Sequence, residues 1–508
     1  MVEEQEAQPG FFTTYFTTKA TVIILVINIV LSLSIGSTIG IVPEVLQDRY
    51  ARLYHDYEGP DCSSYSTAAS MPQACQHGAD DAQDGSAMGS LALNILTLFC
   101  NPVVGSLSDS YGRRSPISIG MFLCILPPLV LVLMQLLPQI PPVWYYAATS
   151  SGGIISYTSI FIASISEVVP EELRAPCIGI MIAGFSGSLS LAPVLPLVMN
   201  HFRVSLLSLS LTVLAFVISV VFLPETLPDA VASQNRRQQP SETSTSEETT
   251  VATTCRSSLV VTSVLSMPFQ KVAILNRTTM LQLLTVGAFF ASMVYSTDIN
   301  LVLFYMEAHL NFRDQDIARL FFVSGAVGLI VQVVLLQPLI RLFGEKWLLV
   351  ATFACGSLHN FLYGISKDQT GIWAAFLLSQ FTHLNYPLLS SFASKGALKT
   401  EQGQVQGALS AISALAAALG PVLMQSIYDY TKDSIIFGPG TMFVFAALLY
   451  LTGTIIVSFL QVDQLFSPHA VASPSSYDEE EEALSAQKPF TPTDGLEEPL
   501  LPQSTSDD

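Results

Sequence analysis

The chain has 508 residues, half of them hydrophobic, with only 12% charged and a mean hydropathy of +0.50. A soluble protein carries about twice that charge, so a soluble enzyme is excluded and the recurring apolar runs of roughly 20 residues read as membrane helices. The formal net charge of −19 is concentrated after Gln461, where eleven acids face one Lys, and in 43–88, where eight acids face two Arg; the acidity belongs to water-exposed segments and offers no nucleic-acid footprint.

Residues 1–19 are polar and read as a cytosolic N-terminus. Span 1 covers about 20–42 and has no cleavage site, so it is expected to stay as an anchor. Asn28, Ser32, Gly36 and Gly40 recur every four residues and share a face. That face is a small-residue packing ridge or a polar substrate face, and Asn28, costly in lipid, suits both. Residues 43–86 form a long non-cytosolic loop. A disulfide between its Cys62 and Cys75 fits that compartment, while spacing alone leaves the pairing open.

Span 2 runs into Gly105–Arg114, GSLSDSYGRR, and span 3 follows over 117–137. The stretch is too short to be anything but a tight turn between two spans. Gly105 permits close helix approach, and Asp109 can accept hydrogen bonds from the N-terminus of a neighbouring helix. Gly112 permits positive φ, and Arg113 and Arg114 favour the cytosolic side. Pro127 and Pro128 should bend span 3. Span 4 is expected over 143–165, then a charged inner loop at 166–176 with Glu167 and Arg174. Span 5 covers 176–199 with Gly184, Gly187, Pro193 and Pro196. Span 6 covers 204–223 and ends at LPETLP, which contains Glu225.

From Asp229 to about Ser258 the chain is Ser, Thr, Gln and Glu, so 229–278 reads as a disordered cytosolic linker. Six further spans fall near 279–304, 318–337, 347–365, 372–393, 405–428 and 440–461. Residues 463–508 form an acidic disordered tail. Lys and Arg number 14 on the inner segments and seven on the outer when both termini are cytosolic. The domains are therefore a bundle at 20–228, the linker, a bundle at 279–462 and the tail.

A repeat supports the six-and-six division. GSLSDSYGRR at 105–114 has a counterpart in QPLIRLFGEK at 337–346, with Leu339, Gly344 and Lys346 matching Leu107, Gly112 and Arg114. Arg341 replaces Asp109. The spacing from Ser166 to Gly179 recurs from Ser394 to Gly407; the offsets are 232 and 228 residues. The expected fold is all-α, with twelve transmembrane helices in two six-helix bundles.

Charges inside spans are expensive and are functional candidates. Asp298 is the acid well inside a predicted span; it is either a proton-carrying group or an ionised carboxylate in the outer vestibule. His383 is either a coupling or substrate ligand or a packing histidine. His359 is expected to be structural. No metal or nucleophile–base constellation is evident, and no cofactor is expected.

The pattern G-x-L-x-D-x-x-G-R-R at 105–114 resembles the loop between spans 2 and 3 of the major facilitator superfamily. The stretches NPVVGSLSDSYGRRS (101–115), VWYYA (143–147), PETLP (224–228) and EQGQVQGALSAISALAAALGP (401–421) are similar to the hippocampus abundant transcript family and, more distantly, to tetracycline–proton antiporters. The resemblance implies an alternating-access carrier of a small organic solute, driven by protons or another ion, with protons the expected choice, in the bilayer and as a monomer. It implies that spans 1, 4, 7 and 10 line a central cavity, which places Asn28, Tyr157, Asp298 and His383 there. It also implies a cytosolic latch of Gly105, Asp109, Gly112, Arg113, Arg114, Glu167, Arg174 and Glu225; ordinary interface snorkelling is the other reading. The span 5 signature of antiporters ends in Gly-Pro, whereas Ala192-Pro193 stands here. A transport-inactive membrane sensor or adaptor with the same fold is the alternative. Glu497-Glu498-Pro499-Leu500-Leu501 resembles an acidic dileucine signal, so Leu500 and Leu501 could engage a sorting adaptor. The address is then an endolysosomal or vacuolar membrane, with the plasma membrane as the other choice.

Overall fold

A computed structural model describes residues 11–65, 71–191, 195, 199–238, 267–310, 314–431 and 438–461. The described residues are helical, with no strand among them. In lipid each backbone amide needs an internal partner, and a sparsely charged apolar chain meets that demand by forming helices.

The first half contains α1 (Phe11–Thr17), α2 (Lys19–Thr38), α3 (Ile41–Tyr54), α4 (Gln73–Tyr111), α5 (Arg114–Leu123), α6 (Leu126–Leu136), α7 (Val143–Ser151), α8 (Tyr157–Val168), α9 (Arg174–Leu191), α10 (His201–Val221) and α11 (Asp229–Gln238). The second half contains α12 (Thr279–Leu310), α13 (Asp314–Leu329), α14 (Leu336–Ile365), α15 (Gln369–Ser379), α16 (Asn385–Lys395), α17 (Gln402–Thr431) and α18 (Thr441–Ser458). Among the described residues, eight helical runs are long and apolar enough to cross a membrane. One of them, Phe322–Ile365, contains two expected spans.

Several expected spans are interrupted. Span 3 breaks between α5 and α6, just before Pro127 and Pro128, which cannot donate to the preceding turn. Span 4 is not one helix: α7 and α8 are separated at Gly152–Ser156. The Ser156 amide freed there donates to Asn101 Oδ1 at 2.9 Å. Span 10 is divided by a 3-10 turn, Gln380–Leu384, between α15 and α16. Spans 8 and 9 are joined by a π turn at Ile330–Leu335 and a kink at Gly344, whose φ is 75°.

The 43–86 loop is corrected. Helix α3 fills its start, and α4 begins at Gln73, so among the described residues only 55–65 and 71–72 lie outside α-helix. Side-chain bonds hold the α3 end of the chain against α4: Gln47 Nε2 donates to the Cys75 carbonyl at 3.0 Å, and His55 Nε2 meets Asp81 Oδ2 at 2.8 Å, while Arg52 ties α3 to the following segment through Asp61 at 3.1 Å. Cys62 and Cys75 form a disulfide with Cα atoms 5.7 Å apart. The disordered-linker expectation is also corrected. Residues 229–238 form α11, and 267–272 are helical ahead of a 3-10 turn at Ala273–Asn276. Helix α11 packs on α4 and buries Ala232, which gives this polar segment an anchor. Residues 239–266, Pro193, Pro196, and the 463–508 tail with Leu500 and Leu501 lie outside the described residues.

Candidate functional site

At the end of α4 the turn residues assemble around Arg113, which is 1% exposed. Its Nη2 donates to Asp109 Oδ1 at 2.5 Å and Glu167 Oε1 at 2.6 Å, and its Nη1 bonds the Ser108 hydroxyl. A buried guanidinium needs such partners, because an unpaired one costs several kcal/mol, on the order of the loss measured when buried pairs are broken. Glu225 takes the backbone amides of Arg113 at 2.7 Å and Arg114 at 3.1 Å. Gly112, with φ 98°, lies against that carboxylate, where a Cβ would collide with it.

Asp109 also reaches across the molecule. Its two oxygens accept the amides of Gly403 at 2.7 Å and Gln404 at 2.8 Å. Those amides open α17, where a carboxylate offsets the positive end of the helix. A Cβ at Gly105 would strike the Gly403 carbonyl, so the bare α-carbon permits this approach. Asn235 of α11 adds a bridge by donating to the Asp109 carbonyl at 2.7 Å and the Thr400 carbonyl at 2.8 Å. Asn235 was missed because its segment is low in apolar residues.

Arg174 is a correction: it stands apart from this cluster. Its Nη1 lies 3.8 Å from Glu171, and its buried Nε has no hydrogen-bond partner. The acids whose charge reaches it are Glu171, Glu172 and, most weakly, Glu345 in the second half. Glu345 forms an ion pair with Lys395 at 2.6 Å. The repeat offsets map Arg113 onto Glu345 (113 plus 232) and Glu167 onto Lys395 (167 plus 228). Each half thus carries the same pair with its signs exchanged, and the offsets were the signal that could have found it. The position equivalent to Asp109 is Arg341, which is exposed and offers no acceptor.

Between the halves lies a cavity of about 290 Å³. Asn28 (α2), Tyr157 (α8) and His383 (the 3-10 turn) line it, together with Phe185, Tyr295, Asn385, Tyr386 and Tyr450. Asn28 Nδ2 donates to the Met181 carbonyl at 2.8 Å. The Tyr295 and His383 rings meet edge to face, 6.3 Å apart.

Asp298 is not among the lining residues. It sits about one turn along α12 from Tyr295, and its Oδ2 lies 3.4 Å from His359 Nε2. Its Oδ1 is buried without a hydrogen-bond partner. His359 is 1% exposed, and the Asn360 amide also meets its Nε2 at 2.9 Å. His359, expected to be structural, thus faces the intramembrane acid. Span order gave no warning, because span 9 was expected on the periphery and the contact crosses 61 residues.

The profile described as Major Facilitator Superfamily matches residues 20–421. The Hippocampus abundant transcript 1 protein of Homo sapiens is 24% identical over 340 residues, covering 66% of this chain and 64% of that relative. The chain thus spans a little under two thirds of that relative's length. The class E tetracycline resistance protein of Escherichia coli is 23% identical over 377 residues, covering 72% of this chain and 83% of the relative. The crystal structure of the human organic anion transporter MFSD10 (TETRAN) matches with a TM-score of 0.68 at 19% identity, over 89% of this chain and 100% of that one. At that identity the likeness is one of fold.

Proposed function

The chain belongs to the major facilitator superfamily, similar within it to the hippocampus abundant transcript and tetracycline resistance proteins, and from that premise we propose that it carries a small organic solute across a membrane by alternating access, driven by protons. In this reading it is a monomer whose twelve spans form bundles at 20–228 and 279–462, joined by the 229–278 linker, with both termini cytosolic. The single observation that supports it best is the cavity of about 290 Å³, walled by α2 and α8 from one half and by α12 and the 380–384 turn from the other. It lies away from a rim where Asp109 ties α4 to α17. A closed rim beside a central cavity suits a carrier that opens one side at a time.

Proton coupling is assigned to Asp298 and His359. A carboxylate facing an imidazole in a span can hold or release a proton without moving far. Tyr295, about one turn along α12 from Asp298, lines the cavity and meets the His383 ring edge to face. Protonation of the pair would then be felt at the cavity wall. The dileucine-like tail stretch supports an endolysosomal or vacuolar address through a sorting adaptor; the plasma membrane is the other destination.

The test is purified protein in proteoliposomes under an imposed pH gradient, with an internal pH dye and a panel of small organic solutes. A solute that moves protons against or with itself in a gradient-dependent way supports the proposal. No solute-dependent flux under either gradient polarity would favour an adaptor that kept the fold without transport.

A further inference from the structure

We infer that the central cavity binds an uncharged, flat aromatic solute bearing a carboxamide-like donor and acceptor, with Asn385 as the recognising residue. The inference uses the transport reading only to make this ligand the cargo; the binding chemistry stands on its own.

Charge is the first argument. No Asp, Glu, Lys or Arg lines the cavity among the described residues. A carboxylate or ammonium moved from water into such a site loses its hydration and finds no fixed counter-charge to replace it. The nearby acid, Asp298, is already engaged by His359 and does not line the space. The structural relative MFSD10 is described as an organic anion transporter, and this cavity lacks the fixed cation that such cargo would need.

Shape and surface are the second argument. Tyr157, Phe185, Tyr295, Tyr386 and Tyr450 present rings to the space. Ring faces and edges hold flat aromatic solutes by stacking and edge contacts. The volume, about 290 Å³, is at the small end of ligand pockets, which run from roughly 300 to 1,000 Å³. A bicyclic ring with one polar group suits it better than a drug-sized molecule.

Asn385 carries the third argument. It is 4% exposed and lines the cavity; its amide lies beside the Tyr450 hydroxyl, and neither its nitrogen nor its oxygen makes a hydrogen bond of good geometry. Buried polar groups are nearly always paired, and leaving one unpaired is destabilising. The other cavity amide, Asn28, is different because its nitrogen is spent on Met181. Asn385 opens α16 just after the 3-10 turn that carries His383, so the break in the span sets this amide in the cavity wall. A ligand carboxamide satisfies both of its atoms at once, donating to Oδ1 and accepting from Nδ2.

Aromatic walls also attract cations, so a cationic analogue is the sharpest control. The experiment is calorimetric binding to the purified full chain in detergent, with naphthalene and indole probes each carrying a carboxamide, a carboxylate or a methylammonium group. The carboxamide of at least one ring should bind at least tenfold more tightly than both charged forms. Asn385→Leu should lose at least tenfold of that affinity, and Asn385→Asp should shift preference to the methylammonium probe. If Asn385→Leu does not fold, Asn385→Asp alone decides the point. The inference is overturned if a charged probe binds best to the unmodified protein, if no carboxamide binds, or if the Asn385 variants bind as the unmodified protein does. Carboxamide binding without uptake in proteoliposomes would sink the transport reading and leave this one standing.

Discussion

The Asp109 carboxylate accepts the backbone amide of Gly403 at 2.7 Å, across 294 residues of chain. The same side chain takes the Gln404 amide and the Arg113 guanidinium, so one group caps a helix of the second half and neutralises a buried cation of the first. A helix N-terminus prefers a full negative charge over a neutral amide by about 0.3–2 kcal/mol. Asp109→Asn keeps the size, removes the charge and leaves Arg113 with Glu167. We expect solute uptake to fall by about tenfold while the protein still reaches the membrane, the factor that ~1.4 kcal/mol brings. Initial uptake rates at matched surface abundance check this; unchanged rates would take the clamp out of the transport cycle.

The sign-exchanged pair offers a second test. Lys395 and Glu345 side chains are 15% and 11% exposed, so their attraction is only partly screened. Lys395→Glu leaves two carboxylates together and should lower the melting temperature. Exchanging both, with Glu345→Lys and Lys395→Glu, should restore most of it, with a coupling energy of about 0.5–3 kcal/mol. Strict additivity of the two single changes would show that the pair is incidental.

Asp298→Asn addresses coupling. The variant retains the shape of the site but cannot exchange a proton. Gradient-driven accumulation should disappear, while solute exchange at equal pH on both sides should persist within about a few-fold, because binding groups in the cavity are untouched. His359→Gln should weaken accumulation in the same direction. Full accumulation in both variants would move the proton site elsewhere.

The outer cross-link gives a stability test. Cys62 and Cys75 close a segment with a separation of 13 residues. Chain-entropy arguments assign about 3 kcal/mol to a loop of that size. Cys62→Ser should make the connection between α3 and α4 more sensitive to added protease and should leave the melting of the membrane helices nearly unchanged. A large fall in global melting would instead show that this segment holds the spans together.

Much of the fold was legible because lipid imposes a simple rule. Apolar runs of span length must be helices, so the positions of α2, α10, α12, α17 and α18 follow from composition. The role of Asp109 as a helix cap was legible for a related reason: a glycine-flanked carboxylate at a span end has few other uses. Breaks were less legible. Pro127 and Pro128 announced theirs, whereas the interruption after Ser151 depends on Asn101 receiving the Ser156 amide from another helix. Low apolar content hid α11, which is anchored by Asn235 and by packing on α4 rather than by its own periodicity.

By itself the sequence determined what hydropathy and local chemistry can determine: an all-helical membrane chain, a doubled motif, and which polar residues are costly enough to matter. Only the tertiary structure decided which of those residues meet. Asp298 faces His359 rather than His383, Arg174 stands by Glu171 rather than Asp109, and Asn385 makes no hydrogen bond of good geometry. The reason is geometric. Periodicity sets the face of one helix, but the partner across the gap depends on how whole helices rotate and approach, and no local pattern encodes that.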